Sequence, residues 1–222
     1  MIQQLPEISH DEHSFVSEKN TGLSGPPIEA GPFRPHDLVE VQTLEPGLRL
    51  DVRYASSNNF VGRPVYSAAR VFLQRPAALA LIRVHRGLAQ AGYGLLIFDG
   101  YRPWSVTRLF WSVVSRDQRP FVADPAVGSR HNRGCAVDLS LYDLATGQET
   151  EMPCPYDEMT ARAYPDYAAG CAQALARRDL LRSAMEAQGF TVYPTEWWHF
   201  DYCDWRDFAL LDLSFEALAG SS

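Results

Sequence analysis

No stretch of the chain approaches the ~20 consecutive apolar residues that a membrane-spanning helix needs. Cysteine is sparse as well. Cys135, Cys154, Cys171 and Cys203 form no C-x-x-C pair, which argues against a zinc knuckle or a thioredoxin-like redox motif. A chain of 222 residues has no need of a disulfide scaffold, so these are expected to be reduced thiols in the core. Positive charge is short: 20 Lys and Arg stand against 27 Asp and Glu, a net charge of −7. Phosphate binding needs a concentrated basic surface, so nucleic acid is a poor fit and small or neutral ligands a better one. The opening residues, Met1 to Glu7, lack the basic segment and apolar run of a secretory signal. A cytoplasmic location is therefore expected, with a periplasmic one if the chain is a mature form trimmed of its leader.

What is present is enough apolar material, 46% of the residues, to bury a proper core in one domain. Residues 1–36 read as a polar extension, with repeated Gly and Pro turns and no periodicity; residues 37–222 read as the domain. His10, His13 and His36, in or beside that extension, find nothing nearby to complete a metal site and read as surface histidines. From Leu48 to Tyr54, apolar and charged residues alternate, which predicts a half-buried strand. A helix is expected from about Pro76, with Ala78, Leu81, Ile82, His85, Leu88 and Ala89 on one stripe and Gly92 as its stop. His85 on that stripe reads as a core histidine.

Leu95 to Phe98 is a strand-length apolar run that ends in Asp99-Gly100-Tyr101-Arg102-Pro103, where Pro103 opens a further helix through Phe110. Arg102 then sits at a strand-to-helix junction, either reaching over the sheet end or simply pairing with Asp99. The two prolines of Met152 to Met159 make a stiff loop. A helix follows from about Cys171 to Gln188, and strands from Phe190 to Tyr193 and Trp197 to Tyr202. Strands and helices interleave too irregularly for repeated βαβ units. The expected class is α+β, a mainly antiparallel sheet flanked by helices.

Two short pieces carry chemistry. Ser129 to Asp138 sets His131 and Asp138 seven apart before a strand, and Glu196-Trp197-Trp198-His199 adds a second carboxylate and histidine. A catalytic zinc takes three such ligands and keeps a fourth position open, and His131, Asp138 and His199 supply that set. Positions seven apart on a straight strand face opposite sides, so the backbone must turn between His131 and Asp138, and Gly134 is where it can. Glu196 and His199, three apart, share a face only at a kink or bulge. Glu196 is best cast as the general base rather than a fourth ligand, and Arg102 as the positive group that meets a developing oxyanion.

The motifs Ser129-x-His131-x-x-Gly134-x-Ala136-x-Asp138 and Glu196-x-Trp198-His199 resemble the signature of the zinc D,D-peptidases, which share a fold with the hedgehog signalling domain. Within that group, Asp99 to Pro103, Arg53-Tyr54-Ala55 with Asn59-Phe60, and Pro155-Tyr156-Asp157 are similar to the D-alanyl-D-alanine dipeptidases of the VanX type. The resemblance covers about residues 38 to 205. It implies a hedgehog/D,D-peptidase-like α+β fold, one zinc per chain and hydrolysis of D-Ala-D-Ala or a related dipeptide. It also implies that His131, Asp138 and His199 are zinc ligands, Glu196 the base and Arg102 the stabiliser of the tetrahedral intermediate. Asp157 is then the acceptor of the substrate's free ammonium, and Ser129 and Tyr54 line the same pocket. Arg130, Asn132 and Cys135 depart from the smaller residues common in the family. The alternatives are a D,D- or L,D-carboxypeptidase trimming cell-wall peptides and a non-catalytic zinc-stabilised binding module. A structural zinc has no use for Glu196 and Arg102.

Overall fold

A computed structural model describes residues 24–220. His10 and His13 lie outside the described residues, and His36 is exposed. In chain order the strands are β1 (Leu38–Glu40), β2 (Arg49–Leu50), β3 (Phe72–Gln74), β4 (Tyr93–Asp99), β5 (Ala136–Asp143), β6 (Phe190–Tyr193) and β7 (Glu196–Tyr202). The α-helices are α1 (Val41–Leu44), α2 (Arg75–Ala89), α3 (Trp104–Val113), α4 (Ala172–Glu186) and α5 (Phe215–Ala219). β1 and β3 form a two-stranded pair, and the main sheet runs β2-β4-β5-β7-β6. Only β2 is parallel to its neighbour; the other three pairings are antiparallel, so the expected α+β class is the one that forms.

β5 lies at the centre of that sheet, and its residues are buried on both faces from Ala136 to Tyr142. α2 and α4 pack on each other, α2 against β4 and α4 against β6. Pro76 sits in the first turn of α2, where a missing amide costs no helical hydrogen bond. Burying Leu81 and Leu88 contributes roughly 2 kcal/mol each. Ala89, expected on the same stripe, is exposed, because one residue on from Leu88 it lies about 100° round the helix. His85 is buried and its Nδ1 accepts the Leu95 N–H at 3.2 Å, which satisfies it within the core. Pro103 immediately precedes α3, and Gly92 and Gly189 take positive φ just beyond α2 and α4.

Two further expectations fail. The strand foreseen from Leu48 to Tyr54 pairs only at Arg49 and Leu50, extended by Asp51 N–H to Ile97 C=O at 2.9 Å. Its alternation is real, since Leu48, Val52 and Tyr54 are buried. Beyond Asp51, however, the chain leaves the ladder for a 3-10 turn, Arg53–Ala55. The second concerns the thiols: all four are free, but only Cys135 and Cys154 are buried. Cys171 caps α4 and Cys203 opens a turn after β7, both places that face solvent.

The described part of the polar extension lies along the body. Arg34 N–H bonds the Asp207 carbonyl at 2.8 Å. Glu29 accepts the Leu210 N–H at 2.9 Å and pairs with the buried Arg133, two residues beyond His131.

Candidate active site

Three strand positions stand side by side at one end of the main sheet, because Asp138 pairs with Asp99 on one side and His199 on the other. Two irregularities bring this about. On β4 the one-residue shift at Phe98 aligns Asp99 with Asp138. On β7 the register jumps: Val192 faces Phe200, yet Tyr193 already faces Glu196. This irregularity brings Glu196 Oε2 to 3.7 Å from His199 Nδ1, the shared side that a regular strand forbids for residues three apart. His131 arrives from a loop. A 3-10 turn, His131–Arg133, ends at Gly134 with φ +69°, and a Cβ there would collide with the Leu38 side chain. The backbone then turns straight into β5.

His131 Nε2, His199 Nδ1 and Asp138 Oδ1 converge at 3.1, 3.3 and 3.0 Å from one another. The edge of a tetrahedron around a metal with bonds of ~2.0–2.2 Å is about 3.3–3.6 Å, so the three atoms are close to the spacing of one shared ion. The orientation of the rings fits as well. Gly100 C=O can only accept, so at 2.7 Å it takes a proton from His131 Nδ1 and leaves Nε2 facing the centre. Asp201 Oδ1 accepts at 2.9 Å from His199 Nε2, which turns Nδ1 inward. Asp138 Oδ1 is buried with no hydrogen-bond partner, an orphan of the kind a cation relieves. Against the effect of burial, Asp201 and Asp138 hold the His199 imidazole well above its ordinary pKa. The point where these atoms meet demands positive charge, and a metal binding there displaces a proton.

All eight residues singled out from the sequence line one cavity of about 60 Å³, with Phe60, Phe110, Phe121 and Trp198 as its apolar walls. Burial raises the Glu196 carboxyl to about 7, with His199 opposing the rise and Asp138 adding to it. Arg102 is both paired and buried. Its Nε and Nη2 bond Asp99 Oδ2 at 3.0 and 2.7 Å, and Nη2 lies 3.7 Å from Asp138 Oδ2. Its backbone N–H also bonds the His131 carbonyl at 3.1 Å, which joins the two segments. Tyr54 donates to both oxygens of Asp157, at 2.9 and 3.1 Å. Burial and the Asp138 charge push the Asp157 carboxyl well above the usual range. Asp157 is also the one non-glycine residue at positive φ, +62°, among the described residues. Ser129 Oγ accepts the His131 N–H at 3.2 Å.

Sequence reasoning passed over Asp201, which orients His199, and Tyr156, whose hydroxyl donates to Asp138 Oδ2 at 2.9 Å. The first had a signal, since His-x-Asp on a strand puts both side chains on one face. The second stands in the Pro155-Tyr156-Asp157 motif, but its contact with Asp138 depends on where that loop folds back.

The site groups two histidines and an aspartate whose donor atoms could hold a metal ion beside a carboxylate of raised pKa, a combination suited to a metallopeptidase. Comparison with known proteins gives the same class. The D-ala-D-ala dipeptidase family of peptidases matches residues 34–214, and the chain belongs to it. A D-alanyl-D-alanine dipeptidase of Escherichia coli is 33% identical over 79% of this chain and 89% of its own length. Those of Enterococcus faecalis and Streptomyces coelicolor are each 36% identical, over 71% and 74% of this chain and 87% and 90% of their own. No helix among the described residues is long and apolar enough to cross a membrane.

Proposed function

We propose that the chain hydrolyses D-Ala-D-Ala, or a closely related dipeptide, to free amino acids, using one zinc held by His131, Asp138 and His199. The observation that carries this reading is the convergence of three donor atoms beside Glu196. The names of the relatives supply the substrate class. A zinc bound there supplies a Lewis acid that polarises the scissile carbonyl and makes a nearby water more acidic. Glu196 takes the proton of the attacking water and returns it to the leaving amine as the C–N bond breaks. Its 3.7 Å from His199 places it beside the ligands, within reach of a water there.

Arg102 stabilises the negative charge that grows on the carbonyl oxygen, and Asp99 fixes the guanidinium so that it need not reorganise during the reaction. Asp157 receives the free ammonium of the dipeptide. A carboxylate made costly by burial gains most from an arriving cation, and backbone strain at this residue is typical of a functional position. Tyr54 holds that carboxylate, and Ser129 fixes the start of the His131 turn.

The test is a panel of dipeptides and tripeptides with zinc-loaded protein. Alanine release from D-Ala-D-Ala, with tripeptides cleaved far more slowly, is expected. Zinc-replete protein inactive on every dipeptide contradicts the reading, and preference for tripeptides makes the chain a carboxypeptidase.

A further inference from the structure

Asp138 has two oxygens with different surroundings. Oδ1 faces His131 Nε2 and His199 Nδ1 at 3.3 and 3.0 Å and has no hydrogen-bond partner. Oδ2 takes the Tyr156 hydroxyl at 2.9 Å and otherwise has only Arg102 Nη2, at 3.7 Å. That hydroxyl is therefore what separates the two oxygens. It occupies one and leaves the other bare toward the centre.

The phenol is held firmly enough to impose this choice. Tyr156 is 8% exposed, and its ring centre lies 4.6 Å from that of Phe98 and 5.5 Å from that of Trp198. Phe98 is the residue at the β4 register shift, and Trp198 lies in the β7 irregularity. Tyr156 is thus wedged between the two irregularities that shape the site, next to Asp157 in the chain. Its oxygen also lies 3.3 Å from that of Tyr54, whose own proton goes to Asp157. With each hydroxyl donating to its own carboxylate, the two oxygens lie side by side without a shared proton.

We propose that Tyr156 is a positioning residue that holds Asp138 as a one-oxygen metal ligand and thereby sets the metal affinity and geometry of the site. The inference rests on the metal reading given above. Groups that hydrogen-bond a ligand in this way typically contribute 10–100-fold to metal affinity. Without the hydroxyl, Oδ2 keeps no short hydrogen bond in a buried place, and the carboxylate is free to rotate and offer both oxygens to one ion.

The test uses Tyr156→Phe, which keeps the ring and its contacts and removes only the hydroxyl. Zinc dissociation constants come from competition with a chromophoric chelator, and visible absorption spectra from the cobalt(II)-substituted proteins. Wild type should bind one equivalent. The variant should also bind one, 10–100-fold more weakly, with an altered cobalt spectrum that reports the changed carboxylate. Matching affinity and spectrum in the two proteins overturn the proposal. So does a loss of affinity that merely tracks a loss of folded protein. If wild type itself binds no metal, the metal reading falls and takes this one with it; if wild type binds and the variant is unchanged, only Tyr156 loses its role.

Discussion

Part of the site is built on strands and part on loops, and the two parts hold their residues by different means. Asp138 and His199 face one another across the β5/β7 ladder, so backbone register sets their separation. His131 and Asp157 come from a 3-10 turn and an irregular loop. Side chains and single backbone groups hold these two: Gly100 C=O on the His131 ring, Tyr54 on Asp157, and Glu29 through Arg133 behind the turn. A ladder resists substitution of distant residues, because many backbone hydrogen bonds share the load. A loop site depends on each of a few contacts, so its geometry is sensitive to residues that never meet the ligand.

The largest break in this comparison is on the strand side. His199→Ala removes a donor that the register places and nothing can replace, and metal content by elemental analysis should drop to background along with turnover. Next comes Arg102→Ala, at the junction between the parts. Losing a preorganised positive group at the developing oxyanion typically costs about 10²–10³ in kcat, and steady-state kinetics should show that loss with KM nearly unchanged. A rise in KM at constant kcat would make Arg102 a substrate-binding group. The smallest effect belongs to the loop side. Glu29→Gln weakens the support of Arg133 and should lower stability by about 1 kcal/mol in urea titration, since the pair is only partly buried. It should also weaken zinc binding measurably through His131, which an equally mild change far from the His131 turn should not.

The difference between ladder and loop also explains what could be read in the sequence. The turn at Gly134 followed from geometry alone, because His131 and Asp138 could converge in no other way, and the break near Glu196 followed from the same argument. α2 was legible because its stripe, its proline and Gly92 agreed. The strand from Leu48 to Tyr54 was overread, since burial alternates there while the backbone turns into a 3-10 segment at Arg53 and leaves the ladder. The Tyr156–Asp138 contact and the Glu29–Arg133 pair were illegible, as the partners are far apart in the chain and no local pattern encodes them. Sequence periodicity reports burial well; it does not report which loop folds back onto which ligand.

The central claim is that three side chains hold a metal while Glu196 moves a proton beside it. Measuring zinc content and D-Ala-D-Ala turnover together in Glu196→Ala tests it most directly. The account predicts one zinc per chain and turnover reduced by about 10²–10⁴, the usual contribution of a general base. Zinc lost from Glu196→Ala as completely as from His199→Ala would make Glu196 a ligand and contradict the account.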